Sequence, residues 1–278
     1  MGPYDDTDGH VRPRHHSRCL SDLQAHAVAA LGELVGTFLF LYLSYAGSLM
    51  AANHISPQGT AGVMGSDTVL AISLAYGFAL LVNVWAFYRI SGGIFNPAIT
   101  LGMCLAGQLP PMRSAFFVAA QLLACMCAGG LISCMFPGDI KSANTTLGSG
   151  TSVAQGCFIE MFLTAQLIFV VLMLAAEKSK DTFLAPVGIG LTLFVTMLVG
   201  VPYTGASLNP ARSFGCAVAA AEFPGYHWIY WVGPCLGALL AAGFYRIVKF
   251  LHYEDANPGQ DDHKPTVERN EGLPGLPY

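Results

Sequence analysis

Charge is what this sequence has least of. Asp, Glu, Lys and Arg together supply 11% of its 278 residues, against roughly a quarter in soluble globular domains. So little charge is incompatible with a water-solvated surface and points to the bilayer as solvent. Also missing are a metal-spaced His/Cys cluster, a nucleophile–base pair and a phosphate-cradling loop, so neither catalysis nor a cofactor is expected. The eight cysteines sit mostly in apolar segments, at spacings that fit neither a zinc site nor a secreted disulfide framework. They read as small buried hydrophobes. The basic residues are too dispersed to bind nucleic acid.

Apolar residues are abundant, at 54%, and they come in blocks. Six stretches reach the roughly 20 residues that a bilayer-spanning helix needs. They lie near 27–52, 69–90, 114–135, 153–176, 183–201 and 228–251. No short apolar region ending in a small-residue cleavage site precedes them, so the first is expected to stay in the membrane as an anchor. If the amino terminus is cytoplasmic, all of the 13 Lys and Arg residues except Lys141 and Arg212 fall on that side. This positive-inside bias predicts a multi-pass protein with both termini in the cytoplasm. A plasma membrane is expected rather than an internal one. The sequon at Asn144 then falls in an outside loop, consistent with a glycosylation site.

The two halves of the chain resemble each other. Ser91 to Gly102, containing Asn96-Pro97-Ala98, aligns without gaps to Thr204 to Gly215, containing Asn209-Pro210-Ala211. Glu33 followed by Thr37 opens the first half as Glu160 followed by Thr164 opens the second. Three crossings per half force the second half to start on the opposite face, so the repeats are inverted. The expected organisation is a channel domain over 27–252, split into repeats 27–152 and 153–252. Polar tails at 1–26 and 253–278, rich in Pro, Gly and charge, are expected to be disordered. The stretches 97–106 and 210–219 are too short to cross and enter from opposite faces as half-helices. Irregular backbone at that depth is tolerated only inside protein or along a water-filled cavity. The fold class expected is therefore all-α: six transmembrane helices plus two re-entrant half-helices around a pore.

Asn is a strong helix N-cap and Pro suits the first helical position. Each Asn-Pro-Ala turn thus starts a helix, leaving amide N–H donors of Asn96 and Asn209 for the pore. Two converging positive helix ends set a barrier to cations and protons. A single Asn-Pro-Ala is an ordinary cap; two in matched flanks are a device. Glu33 and Glu160 are carboxylates inside apolar spans. Without a series of charged partners they read as braces for the non-helical backbone, ahead of an ion-relay role. Arg212 reads as a fixed cation beside the pore mouth, rather than a snorkelling surface residue. Gly32 with Gly36, and Gly233 with Gly237, are spaced for close helix crossings.

These features resemble the aquaporin (major intrinsic protein) family over roughly 27–252. Ser91-Gly92-Gly93 before the first turn, Tyr203-Thr204-Gly205 before the second, Arg212-Ser213-Phe214-Gly215 after it and the Trp228–Pro234 run carry the likeness. The resemblance implies a homotetramer with one pore per subunit and an aromatic/arginine filter on the outer side of the turns. Ser213 stands where glycerol-conducting relatives usually have Asp. With Ala217 and Tyr230-Trp231, it looks like the water-selective branch. Alignment back from each Asn puts the filter at Tyr76, Met197, Ala206 and Arg212. Met197 stands where water-selective members commonly have His, and Tyr76 where they have Phe. Ile94 stands where many have His. Ala206 replaces a cysteine often associated with mercury block, so weak mercury inhibition is expected.

The first functional reading is a passive water channel in membrane lipid. The alternative is a broader facilitator of small neutral solutes such as hydrogen peroxide or ammonia, favoured by loss of the filter histidine. A poorly conducting tetrameric scaffold is the reading from another class. Gating by the region of Pro3-Tyr4 or His15-His16, and phosphorylation of Ser179, are further expectations for the cytoplasmic side.

Overall fold

The computed structural model describes residues 21–54, 64–177 and 180–256, and the described residues are helical with connecting loops. Among the described residues, six helices are long and apolar enough to cross a membrane: α1 (Asp22–His54), α2 (Ser66–Phe87), α4 (Pro111–Met135), α5 (Val153–Val171), α6 (Ala185–Thr204) and α8 (Ile229–Phe250). Two short helices, α3 (Pro97–Leu105) and α7 (Pro210–Ala219), start at the Asn-Pro-Ala turns. A helix satisfies its backbone groups internally, which is why hydrocarbon admits it. Large apolar side chains such as Leu31, Phe78, Trp85, Phe162 and Leu239 remain exposed, as lipid solvation allows. Small and polar groups such as Thr37, Ser44, Ser73 and Gln121 are buried instead.

The packing repeats itself. Helix α1 lies on α4 as α5 lies on α8, while α3 packs on α8 as α7 packs on α4, and α2 meets α6 across the middle. Each half-helix is therefore clasped by the opposite repeat, the arrangement an inverted duplication produces. Arg113 at the start of α4 contacts His26 at the start of α1. Gln108, after α3, reaches Tyr245 near the end of α8. This face, where both described ends of the chain lie, is called the terminal face below. Lys141, Asn144 and Glu222 mark the opposite face.

Sequence expectations change at the two tails, at Asn144 and at Gly32 with Gly36. Residues 22–26 belong to α1, and Tyr253–Ala256 form a helical turn, α9, so both tails are shorter than expected. Residues 1–20 and 257–278, Ser179, and with them Pro3-Tyr4 and His15-His16, lie outside the described residues. Asn144 is 8% exposed; its amide nitrogen donates to the Glu222 carbonyl and its oxygen accepts from Thr145. An amide so engaged cannot carry a glycan, so that site is withdrawn. Gly233 and Gly237 do seat α8 against α5; a Cβ on Gly233 would stand 2.7 Å from Glu160 Cβ. Gly32 and Gly36, however, make room for Ile90 and Phe95 of the re-entrant segment instead of another spanning helix.

Candidate pore and its walls

Each turn is built around its glutamate. Glu33 Oε1 accepts from Ser91 Oγ (2.6 Å) and Ile94 N (3.0 Å), and Oε2 from Phe95 N (2.7 Å) and Gln121 Nε2 (2.8 Å). Glu160 Oε1 accepts from Thr204 Oγ1 (2.7 Å) and Ser207 N (2.8 Å), and Oε2 from Leu208 N (2.8 Å). Phe95 and Leu208 occupy equivalent left-handed positions, φ 54° and 52°. A positive φ turns two successive N–H groups toward one point, a nest for an anion. Both carboxylates are wholly buried, and their donors replace the water they have lost. Each carboxylate thus accepts hydrogen bonds from the non-helical backbone that precedes its half-helix.

The N–H groups of 94–95 and 207–208 are taken by the glutamates. Carbonyls of Gly92, Gly93 and Ile94 accept no hydrogen bond from the described residues. Gly92, Gly93 and Ile94 line a vestibule at the terminal face, so these oxygens are acceptors available to a permeating molecule.

Both asparagines cap as expected. Asn96 Oδ1 accepts from Ala98 N (2.8 Å); Asn209 Oδ1 accepts from Ala211 N (2.9 Å) and Arg212 N (3.3 Å). One donor of each amide has another use. Asn96 Nδ2 donates to the Leu208 carbonyl (2.8 Å) and Asn209 Nδ2 to the Phe95 carbonyl (2.9 Å). These reciprocal bonds pin the turns together and leave one N–H per amide, where the sequence reading had left both free.

Among the described residues, cavities lie at the terminal face, at the two asparagines and at the opposite face. Measured as space open to the centre of a water molecule, they are about 310 Å³ at the terminal face, about 10 Å³ at the asparagines and about 510 Å³ at the opposite face. The central one has room for about one water. Tyr76, Asn96, Asn209 and Arg212 all border it, and the Arg212 guanidinium lies 5.0 Å from the Tyr76 ring centre. Arg212 is held by Nη1 to the Ala143 carbonyl (2.9 Å) and Nη2 to the Gly205 carbonyl (3.3 Å). Its Nε is buried and has no hydrogen-bond partner among the described residues.

Met197 and Ala206 do not border the central cavity. On α6, Leu193 borders that cavity and Val201 the opposite-face vestibule. Met197 stands one turn from each. Ala206 likewise separates Gly205, on the vestibule, from Ser207, on the cavity. Both are wholly buried. They occupy the level of the wall between the two cavities.

Sequence reasoning missed several contributors. Gln121 joins Glu33 to Thr100. Tyr45 donates to the Arg212 carbonyl (2.6 Å) and Tyr230 to the Thr204 carbonyl (2.9 Å). Thr145, Ser213 and Ser207 form a hydroxyl chain ending on the Asn209 carbonyl. A polar residue inside an apolar span was the available signal for Gln121; the aromatic hydroxyls gave none.

The profile of the major intrinsic protein family matches residues 21–245. A probable aquaporin-3 of Gibberella zeae is 65% identical over 242 residues, covering 87% of this chain and 85% of that protein. Aquaporin-7 of Botryotinia fuckeliana is 52% identical over 240 residues, covering 85% of this chain but 52% of that one. The chain thus spans most of the first relative's length and about half of the second's. The X-ray structure of the aquaglyceroporin from Plasmodium falciparum superposes with a TM-score of 0.68 at 22% identity, covering 82% of this chain and 99% of that one. That likeness concerns the fold. The chain belongs to the major intrinsic protein family: it is a multi-pass membrane channel for passive permeation, not an enzyme.

Proposed function

We propose that the chain conducts water through the three aligned cavities and excludes ions and protons at the two Asn-Pro-Ala turns. The observation that carries this reading is the central cavity. It holds about one water and meets one spare N–H each from Asn96 and Asn209. A water there donates to carbonyl oxygens and accepts from the asparagines. A cation meets two helix N-termini and Arg212. Tyr76, Met197, Ala206 and Arg212 form the selectivity filter in this reading, and Glu33 and Glu160 brace the turns. The two repeats make one channel domain. Four copies assemble as a homotetramer, with both termini cytoplasmic and the plasma membrane as the site of action. The terminal face is then the inner one.

A second reading is favoured by one residue. Met197 has no hydrogen-bond donor and a flexible side chain, so that wall of the filter admits hydrogen peroxide or ammonia beside water. Proteoliposome fluxes of water, glycerol and hydrogen peroxide separate the two readings. Water above lipid alone, with peroxide at the lipid level, supports the narrow one. Met197→His shifts the ratios toward water if the filter lies where the spacing puts it. Unchanged ratios would mean it lies elsewhere.

A further inference from the structure

Residues Leu80, Ile94 and Ile99 each border both the central cavity and the terminal-face vestibule. They come from three separate segments, α2, the re-entrant segment and α3. All three are nearly closed off, at 2%, 6% and 2% exposure. They stand where the channel narrows from about 310 Å³ to about 10 Å³. We propose that Leu80, Ile94 and Ile99 form a second, donor-free constriction that sets which neutral solutes pass, in series with the arginine-lined filter.

The chemistry of the two constrictions differs. Arg212 supplies N–H donors at one end of the central cavity, and the asparagines supply one each in its middle. At the collar the side chains are hydrocarbon. Among the described residues, the Gly92–Ile94 backbone beside them offers unengaged carbonyls, which only accept, while the donor of Asn96 belongs to the central cavity and not to the vestibule. A permeating molecule can donate a hydrogen bond there but can receive none. Water loses part of its hydration at that point and regains it in the next cavity. A polyol or amide has several acceptor oxygens to strip and a larger body to pass between three branched side chains. Hydrophobic narrowings control permeation through this dehydration cost. Barriers in series add as resistances, so the collar determines selectivity only if its resistance rivals that of the filter.

This inference rests on the channel reading, and the test separates the two. Proteoliposomes at equal protein density carry wild type, Ile94→His, Ile94→Val or Leu80→Ala/Ile94→Ala, and water and glycerol fluxes are measured. The double substitution widens the collar without adding a donor. It is expected to raise the glycerol-to-water ratio about threefold or more, and Ile94→Val to raise it less. Ile94→His supplies a donor and is expected to raise water flux about twofold while glycerol stays unchanged. If wild type passes no water above lipid, the channel reading fails and takes the collar with it. If wild type conducts water and Ile94→Val and Ile94→His leave every ratio unchanged, the collar inference is overturned and the channel reading stands. The mild Ile94→Val change decides the matter even if the double variant fails to fold.

Discussion

The two re-entrant turns share one backbone design and differ in what secures it. The first is held by four donors on Glu33, including a side-chain amide from a helix 88 residues away in sequence. The second is held by three donors on Glu160. It gains a hydroxyl chain through Ser213 and an arginine tied to loop carbonyls. One turn is a polar clamp and the other carries the cation. A duplicated scaffold thus keeps its shape while its two copies differ in chemistry: of the two turns, the second places a cation, Arg212, on the central cavity.

Removing a clamp is the harshest way to test the comparison. Replacing Glu33 with Ala orphans buried N–H donors and should cost about 4 kcal/mol, and Glu160→Ala about 3 kcal/mol. Thermal unfolding of the purified protein in detergent reads both, and equal losses would remove the asymmetry argued above. Arg212→Val should come next. It takes the fixed charge from the pore, and proton or ammonium leak is expected to rise about tenfold while the fold survives. Pyranine-loaded vesicles measure it; a leak no greater than wild type would show that the turns alone exclude charge. Smaller still are the hydroxyls that support the carboxylates. Ser91→Ala and Thr204→Ala should each cost about 2 kcal/mol, the value of a hydrogen bond to a charged group.

The smallest expected effect is a pH dependence at the opposite face. Burial holds the His227 imidazole below its ordinary value of 6.5, and neither ring nitrogen has a partner among the described residues. The sign follows from proton counting. Below 6.5 the unfolded chain takes a proton that the folded one refuses, so stability falls as pH drops through that value toward the lowered folded one. His227→Phe should flatten this part of a melting-temperature profile between neutral and acidic pH. An unchanged slope would place the dependence on another group.

Much of this architecture was legible beforehand, for physical reasons. Hydrocarbon solvent demands long apolar helices, so the six spans stood out within a few residues at each end. The short stretches after Asn96 and Asn209 could only be half-helices, because neither can cross a bilayer. Glu33 and Glu160 announced themselves as charges in apolar surroundings. Contacts across great sequence distance were not legible. Gln121 looked like an isolated polar residue until α1 and α4 came together. Gly32 and Gly36 carried a helix-crossing pattern but seat Phe95 instead. Asn144 matched a modification motif whose meaning depends on exposure, and exposure is a tertiary property. Ile94 was seen as a departure from the family, yet its partnership with Leu80 and Ile99 exists only once three segments converge.

The most direct test of the central claim measures water and proton flux together in proteoliposomes of the wild-type chain at known protein density. Water permeability should stand well above that of empty vesicles, with proton permeability indistinguishable from theirs. Proton flux rising with protein content, or water flux no greater than lipid alone, would contradict that claim.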